Sequence, residues 1–336
     1  MIVVVSAPGK LMIAGEYAVL DGAEAIVTAV DARLVARGSD PSADGSDTGS
    51  SGSPDPAELP PEALLAREHA EKHLGATPMT LRLDKTALVR DGRKLGLGSS
   101  SAASAAVAGA VLAWHGQDPA AHRERIFEWA LAGHRAVAPE GSGADVAAAT
   151  LGGVVRYHRD RPSEARRIAW PSALHLEVVW TGTPARTSDF VAKVSALRDR
   201  DPAGYRAAMD ELRGAARGLA DAIEQGDASA AVRDAGRHGR AMGELGRAAG
   251  ATIVTESLQR VADLAEACGG ASKPSGAGGG DVALAFFDDA SAAARFRGRC
   301  RDGEVTLLPL HIGAEGVREE SDTAMMEGAS QDRGEE

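Results

Sequence analysis

Three glycine-rich runs, spread from one end of the chain to the other, limit what this sequence can build. They read Ala7-Pro8-Gly9-Lys10-Leu11, Gly96-Leu97-Gly98-Ser99-Ser100-Ser101-Ala102 and Lys273-Pro274-Ser275-Gly276-Ala277-Gly278-Gly279-Gly280-Asp281. With no Cβ in the way, backbone N–H groups can approach an anion closely and the chain can take positive φ. Three such segments predict one site around a polyphosphate, closed by residues far apart in sequence.

The chain has 336 residues, enough for one large or two medium domains with a buried core. Its hydrophobic share of 44% against 25% charged residues is that of a soluble globular protein. A formal charge of −11 repels nucleic-acid phosphates and anionic lipid headgroups, so neither is expected as a partner. If the substrates are anions too, the cations that hold them must be local. Two cysteines, Cys268 and Cys300, suit a reducing compartment. The size demands no disulfide, although one between them is compatible with the sequence. No apolar run reaches transmembrane length, and Ile2-Val3-Val4-Val5 has no basic flank of a secretory signal. A cytoplasmic location is the expectation.

Strands are predicted at 2–5, 11–14, 25–30, 33–36 and 79–83, with Pro8-Gly9 as a break between the first two. From Gly38 to Pro61 the chain is Gly, Ser, Asp and Pro, which predicts a flexible loop. Helices are predicted over 62–74, 100–114 and 124–137, and through most of 188–268, where Leu212, Ala215, Ala216 and Leu219 recur at helical spacing. Further strands are expected at 151–158, 174–180, 282–287 and 305–310, with a short helix over 290–299. From Glu315 the chain is polar and acidic, and a disordered tail is predicted. Strands cluster early and helices late, which argues an α+β fold of two halves with a cleft between them.

Gly96, Gly98 and the serines 99–101 stand immediately before a long helix. Orphan N–H groups and the positive end of the helix dipole both favour phosphate there. Serine hydroxyls can add a phosphate bond or a Mg²⁺ ligand. The run lacks the Gly-Lys-[Ser/Thr] ending of a Walker A loop, and a plain Ser-capped helix fits the same residues. Lys10 offers the point charge suited to a transferring phosphoryl group, or is simply a surface lysine. Asp145, at the predicted start of a helix after Gly141-Ser142-Gly143, can orient or deprotonate a hydroxyl, or only cap the helix. Cys and His spacings carry no zinc signature.

Together these segments resemble the GHMP kinase superfamily, which takes its name from the galactose, homoserine, mevalonate and phosphomevalonate kinases. Its three motifs occur in order: Pro8-Gly9-Lys10 with Gly15-Glu16-Tyr17-Ala18-Val19, then 96–102, then 275–281. The resemblance spans roughly residues 1–312. Within the superfamily the chain is most similar to the phosphomevalonate kinases. Gly15-Glu16-Tyr17 stands where mevalonate kinases more usually carry Gly-Glu-His. The 180–188 segment, Trp-Thr-Gly-Thr-Pro-Ala-Arg-Thr-Ser, and the terminal Asp281 of the third motif also resemble the phosphomevalonate kinase pattern. His134, eleven residues before Asp145, stands where mevalonate kinases place a Mg²⁺-binding Glu, which puts a two-ligand metal site in doubt.

The resemblance implies an N-terminal ATP-binding domain over 1–170 with a ribosomal protein S5 domain 2-like fold. It implies a ferredoxin-like C-terminal domain over 171–314, ahead of the tail at 315–336. It implies Lys10 and Asp145 as the catalytic residues, and Gly96, Leu97, Gly98, Ser99, Ser100 and Ser101 around ATP, with Ser100 on Mg²⁺. Ser275, Gly276, Ala277 and Gly278 would close over the substrate. Ser142, Gly143, Arg186, Thr187 and Ser188 are expected on the acceptor's own phosphate and carboxylate; Thr187 and Ser188 fit equally as a helix cap. The variable stretch at 38–61 leaves the adenine contacts unassigned. The cations of Arg90-Asp91-Gly92-Arg93-Lys94-Leu95 are expected to be solvated. The small-molecule substrate implied is phosphomevalonate, whose phosphate is already an anion at pH 7 because its second pKa is about 6. Asp145 is then expected to orient and balance charge more than to remove a proton. Mevalonate kinase or another small-molecule kinase of the superfamily is the alternative.

Overall fold

A computed structural model of the chain describes residues 1–41, 59–182, 187–301 and 305–321. The first half forms β1 (Ile2–Ala14), β2 (Glu24–Ser39), α1 (Pro61–Leu74), β3 (Thr80–Asp84), β4 (Val89–Arg90), β5 (Arg93–Lys94), α2 (Ser99–Trp114), α3 (Arg123–Val137), α4 (Ala144–Leu151), β6 (Val154–His158) and β7 (Arg166–Ile168). The second forms β8 (His175–Trp180), α5 (Thr187–Arg200), α6 (Pro202–Gln225), α7 (Ala228–Ala249), α8 (Glu256–Ala267), β9 (Ala271–Ser275), β10 (Val282–Phe287), α9 (Ala290–Arg301), β11 (Thr306–Leu308) and β12 (Arg318–Glu319). The first sheet runs β12-β1-β2-β6-β7, with β3 also on β2; the second runs β11-β8-β10-β9.

The predicted break at Pro8-Gly9 is not a break. β1 continues through it, and the pairing with β2 shifts register between Pro8 and Gly9. Pro8 faces Arg33 and Gly9 faces Val30, so the two extra residues, Asp31 and Ala32, bulge from β2 opposite an unbroken β1. Proline has no N–H for the ladder, and it sits where the pairing is irregular. The two short strands expected at 25–30 and 33–36 are likewise one strand, β2.

The alanine-rich α2 is buried from Ser101 to Ala113. Small side chains let it lie close against β1, β2, α1 and α3; a Cβ on its Gly109 would come within 2.9 Å of both Val5 and Val317. In the second sheet every residue of β10 is buried. Leu284 and Phe286 join the core shared with α6 and α7, while Ala283, Ala285 and Phe287 pack with α8 and α9. Cover on both faces is why Val282-Ala283-Leu284-Ala285-Phe286-Phe287 carries no polar alternation. Cys268 and Cys300 are free and buried in that second core, and burial pushes the Cys300 thiol up to about 11. No helix among the described residues is long and apolar enough to cross a membrane.

Two expectations about irregular segments need correction. Residues 315–321 are ordered: Arg318 and Glu319 pair with Ser6 and Val5, Val317 is fully buried, and Arg33 donates to the carbonyls of Glu315 at 2.6 Å and Gly316 at 2.8 Å. The polar composition concealed one apolar plug and a two-residue strand. At the other loop, Gly38 and Ser39 still pair with Leu81 and Thr80, and Pro61 opens α1. Residues 42–58 and 322–336 lie outside the described residues. Ending the chain after Ala314 removes the plug and takes from Arg33 its two carbonyl partners at Glu315 and Gly316. It should therefore lower unfolding stability by at least about 2 kcal/mol, the scale of one buried valine plus hydrogen bonds. Urea denaturation of the shortened chain measures this, and an unchanged midpoint would contradict it.

Candidate active site

β1 carries Lys10 against the turn that opens α2. The Lys10 N–H donates to the Leu97 carbonyl at 2.9 Å, and the side chain runs over Gly98. A Cβ on Gly98 would sit 2.8 Å from Lys10 Cγ and 2.9 Å from Cε, and its φ of +74° favours glycine in any case. The Lys10 ammonium ends 3.3 Å from Oδ2 of Asp145, the second residue of α4. The lysine side chain is 10% exposed and the aspartate 35%, so the pair is enclosed on the protein side and open on one other. Two helix N-termini, of α2 and α4, thus converge on one ammonium. Ser99, Ser100 and Ser101 form the first turn of α2, where N–H groups have no intrahelical acceptor. Ser101 is buried while Ser99 and Ser100 are half-buried.

The third glycine segment meets the second. A Cβ on Gly96 would lie 2.7 Å from Cβ of Asp281, and the Asp281 carbonyl accepts from the Thr181 N–H at 2.8 Å. Arg93 is exposed, as expected, and also donates to the Gly182 carbonyl at 3.0 Å, which ties the β4–β5 hairpin to the end of β8. Gly279 donates to the Ile253 carbonyl at 2.7 Å and lies against the Phe190 ring on α5. This brings the start of α5, with exposed Thr187 and Ser188, beside the third segment. Arg186 lies outside the described residues.

Some expected contact groups are already engaged. Ser275 Oγ accepts from the Met12 N–H at 2.9 Å and lies 3.2 Å from the Met12 carbonyl, to which it donates. Ser142 Oγ accepts from the Ala144 N–H at 3.2 Å, and its carbonyl accepts from the Tyr157 hydroxyl at 2.7 Å. Burial pushes that hydroxyl up to about 12, so it remains a donor. Gly143 is enclosed by Leu131 and the same tyrosine. His134 packs its Nε2 against Gly141, in the turn that leads to Asp145.

Sequence reasoning missed what holds the third segment. Glu16, Lys273 and His238 are buried together. The Lys273 ammonium donates to Glu16 Oε1 and, at 3.2 Å, to the Met12 carbonyl. The same carboxylate oxygen accepts from the Gly276 N–H at 3.3 Å. The Tyr17 hydroxyl donates to the Ala277 carbonyl, and burial followed by the Glu16 charge pushes that hydroxyl upward. Burial also pushes the Glu16 carboxyl up and the Lys273 ammonium down, and each opposes that shift in the other. His238 Nε2 is 3.6 Å from Glu16 Oε2; burial, then the Lys273 charge, holds its pKa well below the usual 6.5, so the ring is neutral. A charged residue between Gly15 and Tyr17 gives no sequence signal of a partner 257 positions away. Beside Tyr17, a cavity of about 230 Å³ between the domains is lined by Leu20, Glu140, Arg159, Val194 and Arg198.

The sequence of the first half matches the family model "GHMP kinases N terminal domain" over 63–153, and the second half matches "GHMP kinases C terminal" over 219–303. The chain belongs to the GHMP kinases, and its two-domain α+β fold is theirs. It is 32% identical to the phosphomevalonate kinase of Streptomyces sp. (strain CL190), across 93% of this chain and 97% of that one. It is 31% identical to the mevalonate kinase of Aeropyrum pernix, across 84% and 88%. The Streptococcus pneumoniae phosphomevalonate kinase, solved in complex with phosphomevalonate and AMPPNP, shares the fold at a TM-score of 0.72 with 20% identity, covering 92% of this chain and 99% of that one.

Two outcomes follow from the geometry. Gly98→Ala combines positive φ with a clash against Lys10, whereas Gly92→Ala meets positive φ with nothing within 4 Å. Gly92→Ala should lose only the backbone strain, about 1–3 kcal/mol, and Gly98→Ala clearly more in urea titrations; equal losses would contradict the packing described. His238 refuses a proton that the unfolded chain accepts, so its contribution to stability is complete above about pH 6.5 and falls away as pH drops below it. Thermal melts between pH 5 and 7.5 should show this slope, and it should flatten in His238→Asn.

Proposed function

We propose that this kinase transfers the γ-phosphoryl of ATP to the phosphate oxygen of (R)-5-phosphomevalonate, giving (R)-5-diphosphomevalonate and ADP. The bond from Pγ to the ADP oxygen breaks and a bond from Pγ to the acceptor phosphate oxygen forms. The observation that carries the reading is the Lys10 ammonium, held 3.3 Å from Asp145 where two helix N-termini converge. Such a place favours negative charge that grows or spreads during transfer. The similarity to the Streptomyces enzyme, 32% over 93% of the chain, supports the acceptor.

Residues 1–170 act as the ATP-binding domain and 171–314 complete the cleft. The amides and hydroxyls of 96–101 hold the nucleotide phosphates. The family chemistry implies Mg²⁺, and among the described residues no three acids, histidines or cysteines form a metal cluster. This donor set fits Mg²⁺ as a nucleotide-borne ion, since Mg²⁺ takes most of its ligands from phosphates and water and needs few from protein. Ser100 is the hydroxyl that would hold it, and bound there the ion would neutralise phosphate charge. Ser142, Gly143, Arg186, Thr187 and Ser188 receive the acceptor's phosphate and carboxylate, and the 275–278 segment borders it. Because the acceptor is already ionised, Asp145 orients the reactants and fixes the Lys10 ammonium.

The Aeropyrum relative supports a second reading, in which mevalonate is the acceptor and Asp145 takes a hydroxyl proton. ADP release measured with mevalonate and phosphomevalonate side by side separates the two. Turnover with phosphomevalonate alone is expected, and turnover with mevalonate alone would reject the choice. In single-turnover assays Lys10→Met should cost about 100-fold or more in rate and Asp145→Asn about tenfold. Equal losses would assign Asp145 the base role.

A further inference from the structure

β1 belongs to the first sheet and β9 to the second, yet four side chains bind the end of β1 to the end of β9 and the turn beyond it. Lys273 reaches the Met12 carbonyl, Ser275 takes both the Met12 N–H and its carbonyl, Glu16 accepts from Gly276, and Tyr17 donates to Ala277. Met12 is two residues beyond Lys10 on the same strand. We propose that Glu16 and Lys273 are positioning residues for phosphoryl transfer: their buried ion pair locks the third glycine segment onto the strand that presents Lys10. This rests on the reading of Lys10 as the cation that meets the transferring phosphoryl.

Stability is a poor reason for such a pair. Taking two charges out of water is costly, and a well-packed apolar pair is often as stable or more so. What apolar side chains lack is direction. Lys273 and Glu16 each bond a specific backbone group on the other domain, the Met12 carbonyl and the Gly276 N–H, and together these fix the register of β1 against the glycine turn. The charges also balance. Lys273 stands close enough for the Lys10 ammonium to depress it further, and Glu16 offsets that repulsion. Neutral His238 beside Glu16 Oε2 adds no charge. Lys10 is then left to face Asp145 and the phosphates.

None of the lock's hydrogen bonds is made to the α2 turn proposed for the nucleotide, so it should act on rate and not on nucleotide affinity. The test compares Glu16→Gln, Lys273→Met and the double variant in three ways. AMPPNP affinity is measured by calorimetry, single-turnover rate with the acceptor the wild type uses, and hydrogen exchange at Gly276–Gly280. Each single variant is expected to lose about 30-fold or more in rate with AMPPNP affinity within about threefold. The double variant should be no slower than the slower single, as for groups that act as a unit. Exchange at Gly276–Gly280 should speed up in all three. Tyr17→Phe, which removes one tie and no charge, decides the matter if the buried variants fail to fold: it should slow turnover about threefold and speed the same amides. Wild-type rates in folded variants, a loss confined to nucleotide affinity, or unchanged exchange would each overturn the lock. A wild-type chain that phosphorylates neither acceptor would count against the proposed function, and the exchange arm would still decide the lock.

Discussion

The placement of one ammonium organises this molecule. Lys10 comes from a strand of the first sheet, passes over a glycine that opens one helix and meets a carboxylate that opens another. None of the three parts would place it alone. The Lys10 N–H bonds the Leu97 carbonyl and so sets β1 against the turn before α2. A Cβ at position 98 would push the chain of methylenes aside. Asp145 gives the ammonium a partner and so restricts where a flexible four-carbon stem can leave its charge.

Around that point the two domains are held by polar ties that specify register, while apolar cores supply the bulk of the stabilisation. Arg156 on β6 gathers Glu24 of the first sheet and Asp221 and Glu224 of α6. Arg213 of α6 reaches back to Asp21. These pairs are partly exposed, and exposed pairs contribute little each; the apolar face of α6, with Leu219, Ala220 and Ile223 in the shared core, does more. The Glu16–Lys273 contact differs because it is fully buried and bonds backbone on both sides.

The sequence made the parts of the candidate site legible and left their junctions hidden. Glycines before a serine-rich helix and an aspartate after Gly143 point to helix N-termini, and the helices begin there. Pro8-Gly9 reads as a break because local propensity contains no term for a sixteen-residue partner strand, which pairs with β1 on both sides of Pro8-Gly9 and takes up the irregularity as its own bulge. Val317 is hidden among charged neighbours, and its burial, the pairing of β12 with β1 and the bonds from Arg33 and Arg123 hold the segment only once the chain is folded. Ser275 reads as a free hydroxyl at the site, and its engagement with Met12 depends on two strands from different sheets meeting. Lys273 and Glu16 form the same kind of contact, invisible until the chain is folded.

The most direct measurement is a crystal structure of the chain with AMPPNP. Under this account the γ-phosphate lies within hydrogen-bonding distance of the Lys10 ammonium, with the β-phosphate against the amides of Ser99–Ser101. A triphosphate bound elsewhere, with Lys10 still turned only toward Asp145, would contradict it.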